Sequence, residues 1–577
     1  MKPARREVLR HGAAWCLGAG LLAGCRPAGV TSLRGDIAGS WVGAQVDRGH
    51  AWRDGKLKPS AAGEPVRQVH TLIVGAGVAG LSAARGLMRA GIDDFAVIDL
   101  EDEPGGNARG HRMAGLPCPL GAHYLPVPDD GAEEVAVWLA ELGLITRQSG
   151  RWVGDERHLV HSPHERLFVP EGEGPTLGAK GFWPGQWHEG LLPEARAPAV
   201  QADLRRLRES MQAALQGVRL TLPTWRTPWS AGLTALDELT FAGWLAQQGI
   251  RSREVLWWLD YACRDDYGAG LSRVSAWAGL QYLSSRHGLG LGNDGNNDSD
   301  DAGHGSGVLT WPDGNAWLVR RLSEPLGARW QGGLVVTRVE AGRHDVLVSA
   351  VSARDGRTWR WQARHVLMAL PLMIAQRLLP QPLSPLGALR SHLAQAPWLV
   401  SNILFNGALP DRAGAPLSWD NVPFSMDGGA GVPMPSLGYV NARHQELAQP
   451  VGPSLLTHYW ALGGQSAEQG VAMRRALLKD DWRAWAQRVA ADLARVHPEW
   501  PALIERMDLM RWGHAMAIPV PGLRSHPALA ALWQPQGRLH FAHSDLSAYS
   551  VFEEAFGHGL RAAQSVARAS GMSRRMA

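Results

Sequence analysis

The chain has 577 residues, of which 45% are apolar and 19% charged, with a formal net charge of +4. That length exceeds one ordinary domain and that apolar share can bury a large core, so a globular protein of two interwoven domains is expected. The charge is small for the size, and no basic tract is interleaved with aromatics as a nucleic-acid groove requires, which excludes nucleic acid as a partner.

The chain opens on Arg5-Arg6-Glu7-Val8-Leu9-Arg10, a twin-arginine pattern, followed by an apolar stretch over 13–23. That stretch is too short to span a bilayer, which needs about 20 residues, and reads as an export signal. Leu22-Ala23-Gly24-Cys25 then matches a bacterial lipobox, implying cleavage before Cys25 and acylation of its thiol; plain cleavage and an uncleaved anchor are the alternatives. The expectation is export as a folded protein by the twin-arginine machinery and a lipid anchor at Cys25 on the periplasmic side of a bacterial membrane. Residues 26–65, rich in Gly, Ala and Arg without sustained periodicity, read as a tether.

Thr71-Leu72-Ile73-Val74 is an apolar strand that runs into Gly75-Ala76-Gly77-Val78-Ala79-Gly80. The glycines permit a tight turn and close approach of a pyrophosphate, which then meets the free N–H groups of the next helix. That helix shows Leu81, Ala84, Leu87 and Met88 on one face and stops at Gly91; a second buried strand, Phe95-Ala96-Val97-Ile98, ends on Asp99, 19 residues past Gly80. An acid there suits a ribose hydroxyl pair. Gly105-Gly106 adds a second close approach to phosphate and favours a flavin over a nicotinamide dinucleotide.

Helical patterns follow around 204–218 and 236–248. Aromatic and polar residues crowd three stretches: 182–188, 257–267 and Ser418-Trp419-Asp420-Asn421. Aromatic walls with a few acids can hold a cationic amine, and Asp265, Asp266 and Tyr267 are the preferred pocket and catalytic candidates. The Asp- and Asn-rich run over 292–301 lacks the Gly and Glu of a calcium loop, with Ser299 and Gly305 at those positions, and reads as a solvated loop. Cys16, Cys25, Cys118 and Cys263 show no metal spacing, so no metal is expected; for Cys118 and Cys263 a disulfide and two free thiols both stay open.

Near the C-terminus stand Leu539-His540-Phe541-Ala542-His543-Ser544-Asp545 and Glu553-Glu554-Ala555-Phe556-Gly557-His558-Gly559-Leu560-Arg561-Ala562-Ala563. With the glycine motifs, these resemble the flavin-containing amine oxidase superfamily, including its phytoene desaturase-like branches. The resemblance implies an α/β fold: a Rossmann-type FAD-binding domain (66–125, 306–395 and 511–570) interleaved with an α+β substrate domain (126–305 and 396–510). It implies cofactor contacts at Gly75, Gly77, Val78, Ala79, Gly80, Asp99, Gly105, Gly106, Asn107, Arg109, Val336, Asp545 and Ala555. Asn107 stands where the family has an arginine, with Arg109 two residues on, and Asp545 lies one position past the family's acid, where Ser544 stands. Trp311–Asn315 resembles the family's loop before a helix, 336–339 its strand at adenine and 366–371 its late core strand. His543 and His558 are read as satisfied polar groups in the flavin-proximal motif.

In that family the flavin takes a hydride, and a lysine near it is tied to oxygen reactivity. The comparable strand, 398–405, has no lysine, and of the five in the chain only Lys180 falls near a plausible pocket. Three functions stay open: an FAD-dependent oxidoreductase acting on an amine or polyamine, a desaturase- or dehydrogenase-like enzyme acting on an apolar substrate, and a flavin-binding protein without turnover.

Overall fold

The computed structural model describes residues 33, 35, 37–60, 63–160, 165–170, 184–192, 197–285, 307–381, 383–425, 432–441 and 452–572. The export signal with Cys25, the 292–301 run, Lys180 and Phe182-Trp183 lie outside the described residues.

The strand Arg67–Val74 ends in the buried run Thr71–Val74 and lies between two parallel neighbours, Phe95–Ile98 and Thr358–Met368. Burial on both faces explains why all three read as unbroken apolar runs at their ends. Trp330–Gln331 extends this sheet on one side, and Val346–Ser352 and Leu334–Ala341 extend it antiparallel on the other, while Leu539–Phe541 pairs with the far half of Thr358–Met368. The helix Val78–Arg89 packs against the closing helix Phe552–Ala569. A Cβ at Gly86 would come within 2.7 Å of the Ala563 methyl, and one at Gly559 within 2.1 Å of the Ala79 carbonyl oxygen. The two helices therefore meet almost backbone to backbone, and Ser82 Oγ fastens them by donating to the Phe556 carbonyl at 3.0 Å.

A second sheet has eight strands, in the order Ala38–Trp41, Ile504–Ile518, Ala394–Phe405, Ser454–Ala461, Gly438–Val440, Asp420–Pro423, Glu165–Phe168 and Trp187–Glu189. The helices Pro198–Leu215, Arg253–Tyr267 and Ala276–Ser285 share a core with it through Leu167, Val422, Trp257 and Tyr267. The short pair Tyr124–Pro126 and Val308–Thr310 brings the chain back from this first excursion, close to the expected boundary.

Three expectations change. The tether is shorter than 26–65: Ala38–Trp41 is an edge strand parallel to Ile504–Ile518, and Val46–Arg53 is a helix. An edge strand is held by backbone pairing, so its sequence need show no core pattern. The helix expected over 236–248 is two, Ala231–Asp237 and Phe241–Gln247, because Thr240 Oγ1 caps a new start by accepting from the Gly243 N–H at 3.1 Å. The strand Ile504–Ile518 runs through the expected 510/511 boundary, so one strand serves both units. Cys118 and Cys263 are both free thiols, each buried.

Candidate active site

The two glycine segments lie back to back. Gly75 has φ +104°, and a Cβ there would sit 2.2 Å from the Ala369 carbonyl oxygen; one on Gly80 would sit 1.9 Å from the Gly75 oxygen. Gly106, at φ +55°, brings its would-be Cβ to 3.1 Å from Gly77 Cα, and the Gly105 N–H donates to the Ala76 carbonyl at 2.8 Å. Side chains are excluded where these segments meet. What remains open is the start of Val78–Arg89, where N-cap Gly77 supplies no side-chain cap and the first turn holds no acid. Uncapped N–H groups and the helix dipole there suit a diphosphate, so this cradle fits the pyrophosphate of FAD. Val78 and Ala79 form its first turn.

Asp99 stands at the end of Phe95–Ile98, beside the cradle. Its Oδ2 accepts from the Ala76 N–H at 2.6 Å and its Oδ1 from the Glu101 N–H at 2.9 Å. Burial pushes its pKa up, while these bonds and Arg109 oppose the shift. Each oxygen keeps a further lone pair for a ribose hydroxyl. Arg109 is buried beside the second glycine loop, with Nε donating to the Gly106 carbonyl at 3.2 Å, a guanidinium nitrogen 3.1 Å from Glu101 Oε2, and its plane 5.5 Å from the Trp512 ring centre. Much of its charge is thus answered by Glu101. The Asn107 amide donates to the Ala515 carbonyl at 2.5 Å, joining the loop to the strand shared by both units.

Asp545 is turned into the protein. Its Oδ2 accepts from the Leu372 N–H at 2.9 Å and its Oδ1 from Gln395 Nε2 at 3.1 Å, with His543 Nδ1 at 3.2 Å. Burial would raise its pKa, but His543 and these hydrogen bonds outweigh it and hold the carboxyl below the usual range. It anchors neighbouring segments through these bonds, and Oδ2, with the Leu372 N–H as its one printed partner, keeps a further lone pair. Val336 is buried at a bulge in Leu334–Ala341, and Ala555 is half-buried in the first turn of Phe552–Ala569. His558 is fully buried and meets Ser547 Oγ at 2.7 Å, a satisfied core group as read from sequence.

The second feature is an acidic, aromatic cage. Asp420 stands opposite Glu165 in the parallel pairing of Asp420–Pro423 with Glu165–Phe168, and Asp265, on the helix Arg253–Tyr267, lies close enough for its charge to act on Asp420. Tyr124, Tyr261, Tyr282 and Tyr459 surround these carboxylates closely enough to feel their charge. Burial first, then the negative charges of Asp265 and Glu165, pushes the Asp420 carboxyl well above its ordinary range; burial pushes Glu165 to about 7. Among the described residues neither Asp420 nor Glu165 has a salt-bridge partner, and both are half-buried. Uncompensated acids in a nearly dry place are costly, and a cation would remove that cost.

The cage touches the cofactor cradle. Tyr459 OH donates to the Gly121 carbonyl at 3.2 Å and meets His123 Nδ1 at 2.9 Å, while a Cβ on Gly121 would fall 2.1 Å from the Asn107 carbonyl oxygen. The His123 ring lies edge-on to Trp419 at 4.6 Å, and burial lowers its pKa to about 3, so it is neutral at this junction.

Of the three candidates from the 257–267 stretch, Asp265 belongs to the cage, Asp266 acts by its charge on Tyr282 at the cage's edge, and Tyr267 faces the core. Asp266 is buried and accepts from Tyr549 OH; Tyr267 is fully buried and donates to the Ala278 carbonyl at 2.7 Å. Helix geometry separates them, since neighbours one and two apart point to different faces. Glu165, His123, Tyr124 and Tyr459 were not singled out from the sequence. Asp420 was, but only within its tryptophan-rich stretch.

The fold and cradle define a dinucleotide-binding protein with a separate eight-stranded sheet. Residues 78–567 match the model of the flavin containing amine oxidoreductase family, and the chain belongs to that family, whose cofactor is FAD. A Mycobacterium tuberculosis protein, AofH, named as a candidate flavin-containing monoamine oxidase, is 26% identical over 314 residues, 54% of this chain and 59% of its own length; the match thus spans less than two thirds of that relative. Among solved structures, a putrescine oxidase bound to putrescine and the cyclohexylamine oxidase of Brevibacterium oxydans are each 18% identical, with TM-score 0.61 over 87% of this chain and 99% of theirs. A fatty acid isomerase of P. acnes is 17% identical with TM-score 0.57, over 85% of this chain and 97% of its own. At these identities the likeness establishes the shared fold, and the isomerase illustrates that the fold serves more than one chemistry.

Proposed function

We propose that this protein is an FAD-dependent oxidoreductase that oxidises an amine carrying at least one further cationic centre, a diamine or polyamine. The observation that carries the reading is the cage of Asp420, Glu165 and Asp265 inside tyrosine walls, in contact with the second glycine loop through Gly121 and Tyr459. FAD when bound supplies the hydride acceptor. The carboxylates hold an ammonium group by charge, and the aromatic faces hold it by cation–π contact. The nitrogen next to the reacting C–H must be neutral to release a hydride, so the ammonium fixed by the acids is a different one. Loss of the hydride and of the N–H proton gives an imine, which water converts to an aldehyde.

An apolar polyene or a fatty acid fits this cage poorly, because either leaves Asp420 and Glu165 uncompensated and the second adds a further carboxylate. That argument separates the amine reading from the desaturase-like one despite the isomerase neighbour. The described lysines 56, 58 and 479 are all exposed, so no described lysine stands at the flavin site; this supports electron transfer to an acceptor other than oxygen. We place the mature protein on the periplasmic side of a bacterial membrane through a lipid on Cys25, after twin-arginine export, on the sequence motifs alone. The test is anaerobic addition of putrescine, spermidine, a simple monoamine and an apolar polyene to the purified flavoprotein. Rapid bleaching of the visible flavin band by the diamine or triamine supports the proposal; bleaching by the polyene alone, or by no donor, rejects it.

A further inference from the structure

A second pocket lies on the flavin domain, away from the cradle. Its volume is about 430 Å³, and its lining includes His70, His344, Arg364, His365 and Arg538, with no carboxylate among its eight residues. It forms where Arg67–Val74, Thr358–Met368 and Leu539–Phe541 adjoin, beneath the end of the closing helix. His70 is five residues before Gly75 on one strand, about 16 Å at 3.3 Å per residue, so the pocket is separate from the pyrophosphate cradle.

The arrangement of charge is unusual. Among the described residues the exposed Arg364 has no carboxylate partner, and Arg538 donates to the backbone carbonyls of Arg343 and Arg364, at 3.2 Å each, and to no carboxylate. The His70 and His365 rings lie 5.6 Å apart, tilted by 43°, and His365 Nδ1 lies 3.1 Å from His540 Nε2. His540 is 3% exposed and its Nδ1 has no partner, so the polar chain running inward from the pocket is incompletely satisfied. Burial first, then the positive charges of His70, Arg538 and Arg364, lowers His365 to about 4. The nearest acid to act on His70, Asp94, accepts the His70 backbone N–H at 2.8 Å and is not part of the lining. Among the described residues no group of three His, Cys, Asp or Glu is placed to hold a metal ion. Two guanidiniums and three imidazoles around one concavity, with nothing negative inside, make a receptor for an oxyanion.

We propose that this pocket binds a phosphate group, carried either by a free phosphate or phosphomonoester or by the headgroup of an anionic phospholipid. Arg364 and Arg538 supply the forked donors, and His344 and His365 supply single N–H donors, while His70, held by Thr71 Oγ1 at 2.8 Å and Ser570 Oγ at 3.1 Å, forms part of the wall. The site is independent of the amine reading, since no residue is shared between the two.

The test uses the FAD-loaded full chain carrying Cys25→Ser, so that no acyl chain can mediate membrane contact. Inorganic phosphate is titrated calorimetrically in a chloride background, and co-sedimentation is measured with vesicles of phosphatidylglycerol in phosphatidylcholine. Arg364→Ala and Arg538→Ala are compared, each checked for unchanged flavin content and melting temperature; the exposed Arg364 makes the first variant safe for folding. Saturable phosphate binding that weakens about tenfold or more in each variant supports a free phosphate ligand, by the usual strength of a charged hydrogen bond. Vesicle binding that both variants lose, without saturable free phosphate, supports the headgroup source. Absence of both, or binding equal in wild type and Arg364→Ala, overturns the proposal.

Discussion

Replacing Asp420 by Asn removes one charge from the cage while keeping its size, and two consequences of opposite sign follow. An ammonium about 4 Å from a carboxylate gains about 4 kcal/mol at an effective dielectric of about 20. Asn retains a carbonyl acceptor, so the net loss is about 2 kcal/mol, or about thirtyfold in Kd for a diamine. Stability moves the other way. Burial and the charges of Asp265 and Glu165 raise the Asp420 carboxyl above its unfolded value, so the folded chain binds that proton more tightly and loses stability as pH rises from about 4 upward. Asn cannot ionise, so the variant escapes this loss. Without substrate, D420N should melt higher than wild type at pH 8, with the difference vanishing near pH 4. Kd comes from the saturation of anaerobic flavin reduction by putrescine, and melting from calorimetry of the same holoprotein. Unchanged Kd, or a variant that melts lower at pH 8, would refute the reasoning, because either outcome means Asp420 is already neutralised inside the protein.

Glu165, raised to about 7 by burial, must be ionised to hold a cation, so kcat/KM for a diamine should climb as pH rises through about 7; Glu165→Gln should flatten that limb and lower the plateau. Gly106→Ala puts a methyl 3.1 Å from Gly77 Cα at φ +55° and should sharply reduce flavin retention in the purified protein, whereas Gly55→Ala, at φ +66° with open space around it, should cost about 1 kcal/mol of stability and no flavin. Cys25→Ser should move the protein from the membrane to the soluble fraction; continued sedimentation with membranes contradicts the lipid anchor.

The cofactor cradle was legible because its determinants are local: a buried strand, glycines at a turn and an uncapped helix start fall within 14 residues of chain, Thr71 to Ala84, and a second glycine pair soon follows. The cage was legible only in part. Asp420 and Glu165 meet through a parallel strand pairing between segments some 255 residues apart, which no local pattern encodes. The placement of Tyr267 was legible, because Tyr261 and Asp265 are four apart and share a helix face, while Tyr267 sits two beyond Asp265 and enters the core. Asp545 carries a role that the sequence did not show. An acid beside the family's position reads as a cofactor contact, but here its carboxylate is engaged by the Leu372 N–H and Gln395. Ala38–Trp41 shows the opposite failure, a strand whose alternating exposed and half-buried residues carry too little apolar signal to separate it from a tether.

The most direct test of the account is anaerobic stopped-flow reduction of the bound flavin by putrescine and by putrescine deuterated at both carbons next to nitrogen. The account predicts saturable reduction by the ordinary diamine, clearly slower with the deuterated one, and release of one amino aldehyde per flavin after mixing with an electron acceptor. A flavin that stays oxidised with every diamine and polyamine tried, while an apolar donor reduces it, would contradict the amine chemistry and the role of the acidic cage together.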